Sequence, residues 1–267
     1  MHPIERLRYV ARAGSGAGPS LLVREAAAAL ASIGHDPAGM VTGCRRLIAR
    51  HPTAGPLWWL AARVLHAQNP ADEAWVAAQE IDEDRTDGVV AAQLPDEATV
   101  VVLGWPELVA EALKRRGDIE PLIVESGGEG YDLARRLARY DVDAVHIPES
   151  GLGAAVRAAG LVLLEASALG PDTFVAPLGS HAAAALAVSL DIPVWVVAGV
   201  GRVLPARLYD ALVAQAELDA DPWDLADEVV PLSLASSVIG PGGPTPPDEA
   251  PKRADCPIAL ELLKGAI

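Results

Sequence analysis

A chain of 267 residues is long enough to bury a substantial core, arranged as one large domain or two modest ones. Its formal charge of −15 excludes a surface that neutralises phosphates along a nucleic acid, because such binding needs clustered Lys and Arg. Apolar residues make up 51% of the chain but include one Phe, which favours helices packed on aliphatic strands over an aromatic-rich β-sandwich.

The basic clusters are short, Arg45-Arg46 and Lys114-Arg115-Arg116, and each falls toward the end of an expected helix, where cations complement the helix dipole. Cys44 and Cys256 lie far apart and form neither a disulfide framework nor a metal-ligand cluster, so a reducing compartment without a bound metal is expected. The opening MHPIERLRYVARAG carries charges throughout and no unbroken apolar run. It reads as neither signal peptide nor membrane span, which places the chain in the cytoplasm with no membrane partner.

From residue 1 to about 85 the apolar residues recur at helical spacing. Gly18-Pro19 opens an Ala-rich helix that closes at Gly34. Asp36 caps a second helix with Pro37 in its first turn, and Met40, Val41, Cys44, Leu47 and Ile48 fall on one face before Pro52 ends it. Asn69-Pro70 opens another, through Trp75 and Ile81. The acidic stretch EIDEDRTDG over residues 80–88 reads as the passage to the next unit.

The pattern then changes. Five short apolar runs follow: TVVVLG from Thr99, PLIVES from Pro121, DAVHI from Asp143, LVLLEA from Leu161 and PVWVVAG from Pro193. Helical stretches separate them at 106–116, 131–140, 151–159 and 180–190, an alternation that predicts a parallel sheet with helices on both faces. Runs this apolar predict strands buried on both sides. A helix at 205–217 and a short strand, EVVPL from Glu228, complete an α/β unit over 86–240. The segment SVIGPGGPTPPDEAPKRADCP is rich in Pro and Gly, so it and the rest of 241–267 are expected as loop or mobile tail.

Ligands in open parallel sheets bind beyond the carboxyl ends of the strands, which makes the residues after each run the candidates. Gly179-Ser180-His181 opens an apolar helix whose backbone N–H groups are expected to face the crevice and attract a phosphate, although Ser180 serves equally as a plain N-cap. The Gly127-Gly128-Glu129-Gly130 loop lacks the G-x-G-x-x-G spacing, so a dinucleotide cofactor is not expected. Glu125, Glu165 and Asp172 are candidate acid–base carboxylates and His181 a phosphate ligand or proton carrier, each with a surface or capping role as the alternative.

The order of these pieces resembles the family that unites the α, β and δ subunits of translation initiation factor 2B with methylthioribose-1-phosphate and ribose-1,5-bisphosphate isomerases. His51-Pro52-Thr53-Ala54-Gly55-Pro56-Leu57-Trp58 is similar to the family's Arg-Pro-Thr…Pro-Leu-x-Asn segment. Leu122–Gly130 with Leu133-Ala134 resembles its strand, Glu-Ser-Arg-Pro loop and Leu-Ala helix. Leu161–Ser180 resembles Val-Leu-Val-Gly-Ala-Asp-Ala-Ile…Asn-Gly…Asn-Lys-x-Gly-Thr, and Asp191–Ala198 the Val-Pro-Phe-Tyr-Val-Val that follows. The resemblance runs from about residue 10 to 240 and implies a helical N-terminal domain, a Rossmann-like C-terminal domain and a dimer.

The departures fall on the positions that do the isomerases' work. The family's catalytic Cys corresponds to about Gly104 and its Asp to Ser167; the Arg of its loop is Gly127, and its Asn-Lys pair is Ala176-Pro177. Glycine transfers no proton, and losing a general acid or base costs on the order of 10²–10⁴-fold in rate. The resemblance therefore implies a non-catalytic relative that binds a phosphorylated metabolite or nucleotide, or a partner protein, through Gly104, Glu125, Gly127, Ser167, Asp172, Gly179, Ser180 and His181. The alternative is a sugar-phosphate isomerase with a rearranged site built from Glu165, Asp172 and His181.

Overall fold

The computed structural model describes residues 18–34, 36–218 and 220–263, so the N-terminal stretch read above for a leader or a span lies outside the described residues. Four helices come first: α1 (Pro19–Ala31), α2 (Pro37–Arg50), α3 (Gly55–His66) and α4 (Pro70–Asp82). Their starts follow the sequence. Pro occupies the first turn of all four, and the Asp36 carboxylate accepts the N–H of Ala38 at 3.1 Å. Gly34, at φ +69°, supplies the left-handed residue beyond α1. Helix α3 is buried from Gly55 through Ala62 and is the axis of this part, with α1 and α2 packed against it.

The acidic 80–88 stretch passes from the helical core, which holds Ile81, to the sheet core, which holds Val90, and it is helical at both ends. Helix α4 runs to Asp82 and α5 (Thr86–Gln93) begins after a short break. The Asp84 carboxylate supports the break, accepting the N–H of Thr86 at 2.8 Å and that of Val200 at 2.9 Å.

Beyond α5 the chain alternates: β1 (Thr99–Leu103), α6 (Glu107–Leu113), β2 (Glu120–Val124), α7 (Gly130–Leu137), β3 (Val145–Ile147), α8 (Leu152–Ala158) and β4 (Leu161–Glu165). A hairpin, β5 (Ala168–Leu169) and β6 (Thr173–Pro177), leads to α9 (Ser180–Ser189), β7 (Val194–Val197), α10 (Ala206–Ala216), β8 (Asp227–Pro231), β9 (Ser237–Gly240) and β10 (Gly243–Thr245). The main sheet is seven-stranded in the order β10-β9-β7-β4-β1-β2-β3, parallel except for β10. Strand order reverses between β1 and β4, where a doubly wound sheet opens its crevice. The chain is thus α/β, with helices preceding a mostly parallel sheet.

Alternation along the strands splits the core in two. Val101, Leu103, Val162 and Leu164 pack toward α8 and α9, whereas Val100, Val102, Leu161 and Leu163 pack toward α5, α6 and α7. A second, antiparallel sheet in the order β5-β6-β8 lies between the helical part and the main sheet. Its Ala168 and Val175 join the core of the helical part, and its Phe174, Ala176 and Val230 join that of the main sheet. The EVVPL run expected to complete the α/β unit is this sheet's edge.

The Pro-rich C-terminal segment is not a loose tail. Ser237–Gly240 is a parallel strand of the main sheet paired with β7, and β10 returns antiparallel upon it. Beyond β10 the chain travels back to the helical part. The carbonyl of Asp255 accepts Trp59 Nε1 at 2.8 Å, that of Glu261 accepts Arg45 Nη2 at 2.7 Å, and Ala259 and Leu262 enter the helical core. Proline suits this path because most of it pairs with side chains rather than a β-ladder. Among the described residues no helix is long and apolar enough to cross a membrane. Because Leu262 is 2% exposed, Leu262→Ala is expected to lower stability in urea denaturation by about 2–5 kcal/mol, whereas the same change in a loose tail has no effect.

Candidate functional site

The crevice begins at the carboxyl end of β4. Glu165 is the last residue of an otherwise apolar strand, and its carboxylate is buried. It accepts the N–H groups of Glu107 at 3.1 Å, Leu108 at 2.8 Å and Val109 at 3.0 Å, the free donors at the start of α6. Arg202, from the loop after β7, completes the cluster with Nη2 at 2.8 Å from Glu165 Oε1 and Nη1 donating to the carbonyl of Ala166 at 2.7 Å. Burial pushes the Glu165 carboxyl up, while the guanidinium and the amides oppose it.

The same arrangement recurs around the crevice. At the end of β2, Glu125 accepts the N–H of Gly130 at 3.2 Å and of Tyr131 at 3.3 Å at the start of α7, and pairs with His146 Nε2 at 3.0 Å. Partial burial raises its pKa, but these donors outweigh it and hold the carboxyl below its usual range. At the start of α9, Glu228 of β8 accepts the N–H of His181 at 2.9 Å. The N–H groups expected to lie open for a phosphate are therefore capped, at His181, by the chain's own carboxylate.

The rest of the α9 start is packed. Gly179 is left-handed at φ +97°, and a Cβ there would meet Leu103 Cδ2 at 3.1 Å. The side chain of Ser180 is buried, and its hydroxyl has no hydrogen-bond partner. Ser126 Oγ donates to the carbonyl of Leu178 at 2.9 Å, which fixes the loop before α9 against the end of β2. Gly104, left-handed at φ +61°, is buried with its N–H bonded to the carbonyl of Val124 at 2.9 Å. Ser167 Oγ donates to the carbonyl of Val175 at 3.3 Å. Neither position offers a group that moves a proton. Gly127 is exposed and left-handed at φ +65°.

The rearranged isomerase triad is not assembled. Asp172 is exposed on the turn before β6, and His181 follows the opposite end of that strand, on the order of 16 Å away at the rise of an extended chain. Glu165 is committed to α6 and Arg202. Glu125, Glu165, Gly179 and Ser180 are candidates from the sequence, whereas Arg202, Glu228, Glu129 and Asp227 enter the site only through the fold. One signal was available: a Glu ending a fully apolar strand requires a cationic partner or capping donors, and both are present here.

The remaining carboxylates make the crevice acidic. Burial pushes Glu129 up, and neighbouring Glu125 and Asp227 push it further. Burial also raises Asp227, against a hydrogen bond from Thr53. Such a cluster repels a phosphate. Among the described residues no group of three or more His, Cys, Asp or Glu is arranged to hold a metal ion.

No protein-family model and no curated protein matches the chain. Solved structures do. Translation initiation factor eIF-2B of Pyrococcus horikoshii OT3 superposes with a TM-score of 0.77 at 16% identity, over 92% of this chain and 97% of that one. The eIF2B beta subunit of Chaetomium thermophilum superposes with a TM-score of 0.71 at 16% identity, over 93% and 89%. A chain of the tetrameric eIF2B-beta2-delta2 complex from C. thermophilum gives 0.73 at 17% identity, over 94% and 92%. At these identities the shared property is the fold, which is that of the initiation factor 2B subunits over nearly the whole chain.

Two substitutions test the site's energetics. Glu165→Ala leaves Arg202 buried without its counter-charge and is expected to cost about 3–5 kcal/mol in urea denaturation, most of it regained in the double variant Glu165→Gln, Arg202→Met. Asp227 has a folded-state pKa raised by burial. The stability it contributes is complete below the ordinary carboxylate range and is lost as pH rises through the raised value. Asp227→Asn is therefore expected to raise the melting temperature at pH 7 and leave it unchanged near pH 3.

Proposed function

We propose that this chain is a non-catalytic relative of the initiation factor 2B subunits that acts through assembly with another chain of the same fold rather than by turning over a sugar phosphate. One observation carries the reading: carboxylates from within the chain, Glu165, Glu125 and Glu228, cap the helix starts that an anionic substrate would use. Gly104 and Ser167 at the acid–base positions add to it, since neither side chain supplies a general acid or base. The resemblance sets a Gly of the family at position 165, and Glu there introduces a charge where the family has no side chain.

Assembly is supported by the neighbour that occurs as a tetrameric complex of beta and delta chains. It is also supported by the open edge of the main sheet. Strand β3 has three residues and leaves Val145 39% exposed, with Tyr131 and Tyr140 more exposed still just before it in the chain. Light scattering is expected to give about twice the 27.7 kDa chain mass, and Val145→Glu with Tyr131→Glu to return it to one. A parent chain that is monomeric at micromolar concentration overturns the proposal.

A second reading, a phosphorylated metabolite or nucleotide at α9, is favoured by the unpartnered hydroxyl of Ser180 beside the left-handed Gly179. A thermal-shift series with ribose 5-phosphate, ribose 1,5-bisphosphate and AMP separates the two. No shift is expected for the parent chain. A shift that Ser180→Ala removes and Glu228→Gln enlarges would instead establish the second reading, and sugar-phosphate turnover abolished by Asp172→Asn or His181→Ala would restore the isomerase.

A further inference from the structure

A cavity of about 240 Å³ lies beyond the carboxyl ends of β7 and β9, against the helical part. Its floor is apolar, formed by Ala198, Val203, Val238 and Ala250 with the side of Trp59. The loop from Gly199 to Gly201, the turn from Gly240 to Gly242 and Thr245 form its other walls. Carboxyl strand ends in a doubly wound sheet are where ligands collect, and a volume below the range of drug-sized sites selects a small metabolite.

Charge at the rim narrows the class. Three charged residues border the cavity, Glu80, Arg253 and Asp255. The Glu80 carboxylate is committed, with Oε1 accepting Arg63 Nη2 at 2.9 Å. Arg253 and Asp255 are exposed, and among the described residues neither side chain forms a salt bridge. A free guanidinium and a free carboxylate two residues apart, above an apolar floor, complement a molecule with both charges and an aliphatic body.

We propose that this cavity binds a free α-amino acid with an aliphatic side chain, its carboxylate on Arg253, its ammonium on Asp255 and its side chain on the floor beside Trp59. The cavity adjoins the crevice through the loop that carries Arg202, but Glu165, Glu125 and Glu228 do not line it, so leucine binding is read independently of the proposal made there.

Calorimetric titration of the full chain with L-leucine tests it, with N-acetyl-leucine lacking the ammonium and leucinamide lacking the carboxylate as matched probes. Leucine is expected to bind, and each probe to bind about 10- to 100-fold more weakly, as loss of a charged hydrogen bond implies. Arg253→Gln is expected to weaken leucine by a similar factor and Asp255→Asn likewise. Both residues are exposed, so both variants are expected to keep the parent's melting temperature. The proposal is overturned if leucine, isoleucine and valine all fail to bind at millimolar concentration, or if leucine binding is unchanged in Arg253→Gln.

Discussion

The buried ion pair of Glu165 and Arg202 is the constraint around which the parallel sheet is closed. It joins the end of β4, the start of α6, the loop after β7 and, through the carbonyl of Ala166, the corner where the chain leaves the main sheet for the small one. Removing two charges from water is expensive, and the arrangement tolerates that expense only because each is satisfied several times over. These polar groups at the strand ends hold the elements of the fold together.

The other capping carboxylates follow the same electrostatic logic with less burial. Asp84, Glu125 and Glu228 each place negative charge at a helix start, where the peptide dipoles favour it. An acidic chain can therefore meet its capping needs without recruiting anions from solution. The architecture is shared with initiation factor 2B subunits, and a fold carries a site only through the side chains set upon it.

The sheet was legible in the sequence because its strands are buried on both faces and read as unbroken apolar runs, as in VVVL and LVLL. Helix starts were legible at Gly18-Pro19, Asp36-Pro37 and Asn69-Pro70, but α3, which starts at Gly55-Pro56, was read only as part of a helical region. The hairpin of β5 and β6 was not, because β5 has only two residues, too few for any period to register. Ser237–Gly240 was hidden by the Gly and Pro that follow it, although Val238 and Ile239 lie in the core. At the site, the residue types could be named but their partners could not. Arg202 meets Glu165 only because β7 lies beside β4, a pairing that local pattern does not encode.

The return of the C-terminal segment to the helical part bears on how the molecule is made. Trp59 and Arg45 obtain partners from Asp255 and Glu261, and the core of the helical part is completed by Ala259 and Leu262, which are translated after every strand of the sheet. Domains emerging in order ordinarily fold in order. Here the helices preceding the sheet reach their final packing only after the whole sheet has been synthesised, so a nascent chain that ends at β10 still exposes an unfinished apolar surface.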